Sequence, residues 1–185
     1  SGTDWIMESG AVVAHVADLN YGKQGPGMVK LVVAVPESQD IHSARDIEPG
    51  SRVSTEYPQL TQAFFLNLGI PVDIQFSFGA TEAKVPELTD VVVDLTETGS
   101  TLKKNGLKII DVVLQSTSEL IANKKSWADP QKHEDIIAVE TLLSAVIRAR
   151  EKVLLKMNVP EASMKSVMEM LPSMKNPTIS KLYNT

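Results

Sequence analysis

The chain has no cysteine. That excludes a disulfide scaffold and a thiolate metal site, and it fits a cytosolic protein. No run is long and apolar enough to span a membrane. The first residues, Ser1-Gly2-Thr3-Asp4-Trp5, have neither the basic start nor the apolar core of an export signal. A basic excess is also missing: 18 Lys and Arg stand against 23 Asp and Glu, a formal charge of -5. With no basic stripe, this balance argues against broad nucleic-acid binding. His15, His42 and His133 are too scattered to suggest a metal site, and there is no internal repeat or low-complexity segment. The start lacks an initiator Met, and the end follows closely on an apolar run, so both ends read as cuts through a larger protein.

What is present is 43% hydrophobic residues in 185, enough for a packed core in one large domain or two small ones. Met28 to Val35 reads as a buried strand closed by Pro36. Ser43 suits the cap of a short helix ending near Ile47, and Pro49-Gly50 turns the chain into a strand over Arg52 to Thr55. Pro58 fits the first turn of a helix whose stripe is Leu60, Phe64, Phe65 and Leu68, with Gly69 as its stop. Val72, Ile74, Phe76 and Phe78 alternate with polar residues, as in a strand with one buried face. A short helical stretch is expected around Glu82. Val91 to Leu95 is continuously apolar until Asp94, as in a strand covered on both faces. Thr98 suits the cap of a short helix ended by Gly106, and Leu107 to Gln115 is strand again.

This alternation predicts an α/β fold with a mainly parallel mixed sheet. Leu120 to Ala122 continues as a strand-like piece, and Asn123-Lys124-Lys125-Ser126 reads as a polar break. Asp129-Pro130 is a helix start, with Ile136, Val139, Leu143, Val146 and Ile147 on one face running to about Arg150. That face reads as core or subunit contact. Val153 to Val159 reads as a strand, Pro160 opens a helix with Met164, Val167, Met168 and Leu171 inward, Pro172 closes it, and Thr178 to Leu182 reads as a last strand. Two strands and a helix are half of a small sandwich domain and marginal alone.

The chemistry concentrates in Val91 to Leu102, V-V-V-D-L-T-E-T-G-S-T-L. A strand delivers Asp94 to a sheet edge, and the turn from Thr98 to Thr101 offers backbone N–H groups and hydroxyls to phosphate oxygens. In parallel sheets, ligands bind at the carboxyl ends of strands, where this loop and also Thr55 and Tyr57 fall. Thr55 and Tyr57 suit either a ligand contact or a packing role. Lys103-Lys104 suits phosphate attraction or, more simply, a solvated face, and Lys23 to Gly27 either a ligand loop or a hairpin. The methionines from Met157 onward are a pliable core.

The run Asp94-Leu95-Thr96-Glu97-Thr98-Gly99-Ser100-Thr101-Leu102 with Asn105-Gly106-Leu107 closely resembles the signature of ATP phosphoribosyltransferase. Further matches fall in the family's order. They are Asp4-Trp5 with Glu8-Ser9-Gly10, Leu31 to Pro36, Thr55 with Tyr57-Pro58, Gly79-Ala80-Thr81-Glu82 and Leu120 to Asn123. Lys156 to Pro160, Leu171-Pro172 and Pro177-Thr178 resemble the start of the long form's regulatory domain. One departure is Pro86 to Asp90, shorter by a residue than the family's usual segment.

The resemblance implies a periplasmic-binding-protein-like catalytic lobe followed by the start of a ferredoxin-like regulatory domain. Residues 1–17 would end the first lobe, 18–116 form the second, 117–151 return to the first, and 152–185 begin the regulatory domain. It implies an enzyme joining adenine N1 of ATP to C1 of phosphoribosyl pyrophosphate, the first step of histidine biosynthesis. Asp94 and Glu97 would be catalytic, and Asp94, Thr98, Gly99, Ser100 and Thr101 would bind phosphoribosyl pyrophosphate. Asp94 would hold ribose hydroxyls, while Thr55, Tyr57 and Glu82 are possible cleft residues. Magnesium would ride mainly on the pyrophosphate, with no protein ligand of its own and Glu97 near its water shell. The whole enzyme would be a cytoplasmic homo-oligomer inhibited by histidine, using neither nucleic acid nor membrane. A chain cut at both ends would have little activity and no competent histidine site. Two readings from other classes stand beside this one: a non-catalytic small-anion-binding module, and a purely structural subunit.

Overall fold

The computed structural model describes residues 1–19, 28–79, 88–150, 152–171 and 178–181. The chain divides into two compact units, Ser1–Glu151 and Lys152–Thr185. The expected helical stretch around Glu82 and the Lys23 to Gly27 loop lie outside the described residues.

The first unit is built on a five-stranded sheet of order β4-β3-β5-β2-β6, with β2 Val29–Pro36, β3 Arg52–Thr55, β4 Asp73–Phe76, β5 Val91–Thr96 and β6 Leu107–Ser116. Strand β3 runs parallel to β4 and β5, and β2 is antiparallel to both of its neighbours. Four strands therefore point one way and β2 alone is reversed, which gives the mixed, mainly parallel α/β sheet. The continuous apolar runs follow from burial on both faces. Leu31, Val33, Val35, Val53, Val91 and Val93 pack with Phe65 and Tyr57 on one face. Val32, Ala34 and Val92 pack with Leu102 and Leu107 on the other.

Helix α2, Pro58–Leu68, covers the first face; Pro58 opens it and Gly69, left-handed at φ 75°, ends it. Its first-turn N–H groups are capped from another helix. Glu8 of α1, Thr3–Ser9, accepts from Gln59 N and Leu60 N, both at 2.9 Å. At the amino ends of β3 and β5, the Arg52 guanidinium grips Asp90 at 3.0 and 2.8 Å. This bond holds the Asp90 carboxyl below its usual range.

Several expectations shift. Helix α3, Ser100–Lys104, is capped by Gly99 rather than Thr98. The polar stretch after Asn123 is not a break: Asn123 accepts from Lys125 N at 2.9 Å and starts α4, Lys124–Ala128. Strand β4 lies at the sheet edge, and its end does not bury the expected face: Phe76 is 56% and Phe78 86% exposed. A second sheet pairs β1, Val13–Asp18, with β7, Glu119–Asn123, and β1 was not among the strands expected from the sequence. Helix α5, Pro130–Ala149, starts at Asp129 as expected, but none of its residues is buried.

In the second unit, α6 spans Met164–Met170 after a 3-10 turn, Glu161–Ser163. Val153 to Val159 is not a strand, and neither is Thr178 to Lys181; Leu182 lies outside the described residues. A ladder strand needs a partner for its backbone groups, and apolar content alone does not supply one.

Candidate functional site

Strand β5 sets the site by simple alternation. Val91, Val93 and Leu95 face the α2 side. Val92 faces the α3 side, so Asp94 and Thr96 share that side. The chain then turns through Glu97, Thr98 and Gly99 into α3, whose Leu102 is buried on the same face. Gly99 sits at φ 74°, ψ 0°, a left-handed conformation that favours glycine. A Cβ there would come within 3.1 Å of the Ile109 Cδ1 atom of β6.

The result is an open cavity of about 370 Å³ lined by Asp94, Leu95, Thr96, Glu97, Thr98, Ser100, Thr101 and Leu102. Five of the residues singled out in the sequence, Asp94, Glu97, Thr98, Ser100 and Thr101, come together on it. Gly99 shapes the turn and is not among the lining residues. Hydroxyls dominate the floor. Thr98 Oγ1 donates to Ser100 Oγ at 3.1 Å, and Gly99 N donates to Thr96 Oγ1 at 2.7 Å. Thr96 stands inside the signature run but was not among the expected site residues, because a strand-end threonine is ordinary until its partner is seen. Asp94 Oδ1 accepts from Leu95 N at 2.7 Å, which fixes the start of the turn.

Such a site offers two carboxylates and several small hydroxyl donors in solvent reach. It suits an anion flanked by a polyol, with hydroxyl donors for phosphate oxygens and a carboxylate for sugar hydroxyls. Lys103 and Lys104 are exposed in the last turn of α3 and do not line the cavity.

Thr55 and Tyr57 are placed elsewhere. Thr55 is fully buried, and its Oγ1 accepts from Tyr57 N at 2.9 Å and from Thr61 Oγ1 at 3.3 Å. Tyr57 is 3% exposed, lies 5.2 Å from the Trp5 ring, and donates to Asp4 Oδ2 at 3.0 Å. Burial, and then the bond to Asp4, push its phenol well above the ordinary tyrosine range. Ser116 Oγ donates to the other Asp4 oxygen, so a buried carboxylate with two hydroxyl donors ties α1 to β6 and to the start of α2. Both residues take the packing role, and neither lines the cavity. Glu82 lies outside the described residues.

The three histidines stay apart: His42 meets Asp40, His133 lies against Trp127, and His15 alone meets two carboxylates. A β-bulge between His15 and Ala17 brings His15 within 3.0 Å of Asp18 and 3.8 Å of Glu119. Their ligand atoms lie within 4.8 Å of one another. Both His15 and Asp18 are more than half exposed, and the imidazole already meets both carboxylates, as in a surface ion-pair cluster. Among the described residues, no helix is long and apolar enough to cross a membrane.

Comparison with known proteins agrees along the whole chain. The family described as ATP phosphoribosyltransferase matches residues 1–146, and that described as HisG, C-terminal domain, matches residues 149–185. The chain is 46% identical over 185 residues to the ATP phosphoribosyltransferase of Pelotomaculum thermopropionicum and 45% identical to that of Desulforudis audaxviator. It spans all of its own length in both matches and 64% of each relative. Among solved structures it resembles the ATP phosphoribosyl transferase (HisG:HisZ) complex from Thermotoga maritima. There the TM-score is 0.68 at 27% identity, covering 80% of this chain and 68% of that one. A periplasmic sulfonate-binding protein from Methylobacillus flagellatus shares the fold alone, at a TM-score of 0.51 and 13% identity. The match to residues 1–146, with the signature loop folded around one cavity, places this chain in the ATP phosphoribosyltransferase family.

Proposed function

We propose that this chain carries the phosphoribosyl pyrophosphate site of an enzyme that joins adenine N1 of ATP to C1 of the ribose and releases pyrophosphate. The observation that carries the reading is the cavity at the carboxyl end of β5, lined by Asp94, Glu97 and the hydroxyls of Thr98, Ser100 and Thr101. The 5-phosphate takes hydrogen bonds from the Ser100 and Thr101 hydroxyls, and Asp94 accepts from the ribose hydroxyls. The attacking nitrogen has a lone pair, so no side chain must remove a proton first. Positive charge grows on the ribose ring as the C1–O bond breaks and negative charge grows on the pyrophosphate. Catalysis is then positioning and electrostatics, with Asp94 and Glu97 supplying negative charge near the ribose.

Two carboxylates among hydroxyl oxygens form a hard donor set that suits magnesium. Glu97 would meet its water shell, and the ion would neutralise charge on the pyrophosphate. For the whole protein the reading includes the first step of histidine biosynthesis, histidine feedback, homo-oligomeric assembly and a cytoplasmic setting. The chain spans 64% of the curated relatives' length, and the 185-residue chain alone is expected to turn over slowly or not at all.

Calorimetric titration tests the site. Phosphoribosyl pyrophosphate is expected to bind, free amino acids are not, and Asp94→Asn is expected to weaken binding by about tenfold, the worth of a charged hydrogen bond. Binding of amino acids instead would favour a non-catalytic module of periplasmic-binding type, and equal binding by the Asp94→Asn chain would remove Asp94 from the ribose.

A further inference from the structure

We infer that Thr96 is a positioning residue for the anion loop, a role that rests on the proposed phosphoribosyl pyrophosphate site. Thr96 is the last residue of β5, half-buried, and held in register opposite Lys30 of β2. Its side chain accepts the Gly99 N–H at 2.7 Å. The turn between strand and helix is therefore closed by a side chain of the sheet, so the loop is tied directly to β5.

Two consequences follow for the anion. From the sequence, the Gly99 N–H was expected to serve the phosphate; here it serves Thr96. The hydroxyls beyond it then carry the recognition. Ser100 N donates to Thr98 Oγ1 at 3.4 Å, and Thr98 Oγ1 donates to Ser100 Oγ at 3.1 Å. A hydroxyl has one proton. In this pair the Ser100 oxygen is the acceptor, so its own proton remains to be given to a ligand in the cavity that Ser100 lines. The chain of donors runs in one direction and ends at the cavity. Holding Gly99 at φ 74° is what sets Thr98 and Ser100 side by side, and the nearby Ile109 side chain leaves little room for any larger residue there.

Thr96→Val keeps the shape and β-branching and removes the acceptor. Thr96→Ser keeps the acceptor and removes a methyl group. Titration of the 185-residue chain with phosphoribosyl pyrophosphate, and separately with inorganic phosphate, should show Thr96→Val binding about tenfold more weakly and Thr96→Ser within about twofold of the parent. Amide hydrogen exchange at Gly99 should accelerate in Thr96→Val and remain slow in Thr96→Ser, with the urea midpoint of the chain little changed. Thr96→Ala repeats the loss of the acceptor should the valine variant fold poorly. Binding by the parent with equal binding by Thr96→Val would overturn the positioning role and leave the site reading standing. Equal weakening in the serine and valine variants would also overturn it, since packing alone would then explain both. A parent chain that binds neither probe would overturn the site reading, and the positioning role with it.

Discussion

Tyr57 shows how far a single residue can sit from the role its position suggests. It lies at the carboxyl end of a parallel strand, where ligand contacts gather, yet its hydroxyl turns to Asp4 and its ring to Trp5. Burial and the hydrogen bond to Asp4 raise its pKa. In the unfolded chain a tyrosine ionises near pH 10. Above that pH the unfolded state loses a proton that the folded state keeps, so stability falls as pH rises through about 10. Below about pH 10 the contribution is constant. Tyr57→Phe should lower stability at neutral pH, because Asp4 loses a donor, and flatten the decline between about pH 10 and 11. Urea unfolding across that range reads both effects, and an unchanged alkaline slope in Tyr57→Phe would assign the decline to other tyrosines.

At the level of elements, α2 illustrates what a linear reading can and cannot reach. Pro58 and Gly69 mark its two ends in the sequence, because their backbone chemistry is local. Ser43, with its capping box to Asp46, and Asp129 at the start of α5 were legible for the same reason. The cap of α2 was not: Glu8 supplies it from another helix, 51 residues away in the chain. Removing that carboxylate in Glu8→Ala should cost about 1–2 kcal/mol in urea unfolding, as for loss of a helix cap. A smaller loss, in the range of an ordinary surface change, would mean that water replaces the carboxylate without penalty. The same division holds for the site. Asp94 through Thr101 are contiguous, so the cavity could be read from one stretch of sequence. Thr96's bond to Gly99 and the packing of Thr55 and Tyr57 depend on which face a strand turns where, which alternation fixes only once the sheet is assembled. The Val153 to Val159 run fails as a strand because periodicity shows what a segment would bury and not whether a partner is present.

For the whole molecule, every buried hydrophobic side chain among the described residues falls between Leu31 and Leu107. The sheet that holds them belongs to the first unit. A chain ending at Arg150 should therefore unfold in urea within about 0.5 kcal/mol of the full 185 residues, as surface changes do. A loss of several kcal/mol would show that the second unit supports the core. The reversed strand β2 has a consequence of another kind, in the order of assembly. Val33 pairs with Val93 on one side and with Asp111 on the other, so the most apolar strand of the sheet waits for segments made much later. Contacts between distant parts of a chain form slowly. On a ribosome β2 would stay unpartnered until β5 has emerged, and paired on one side only until β6 follows. The anion loop hangs directly from the end of β5, and it would take its shape only in that same late step.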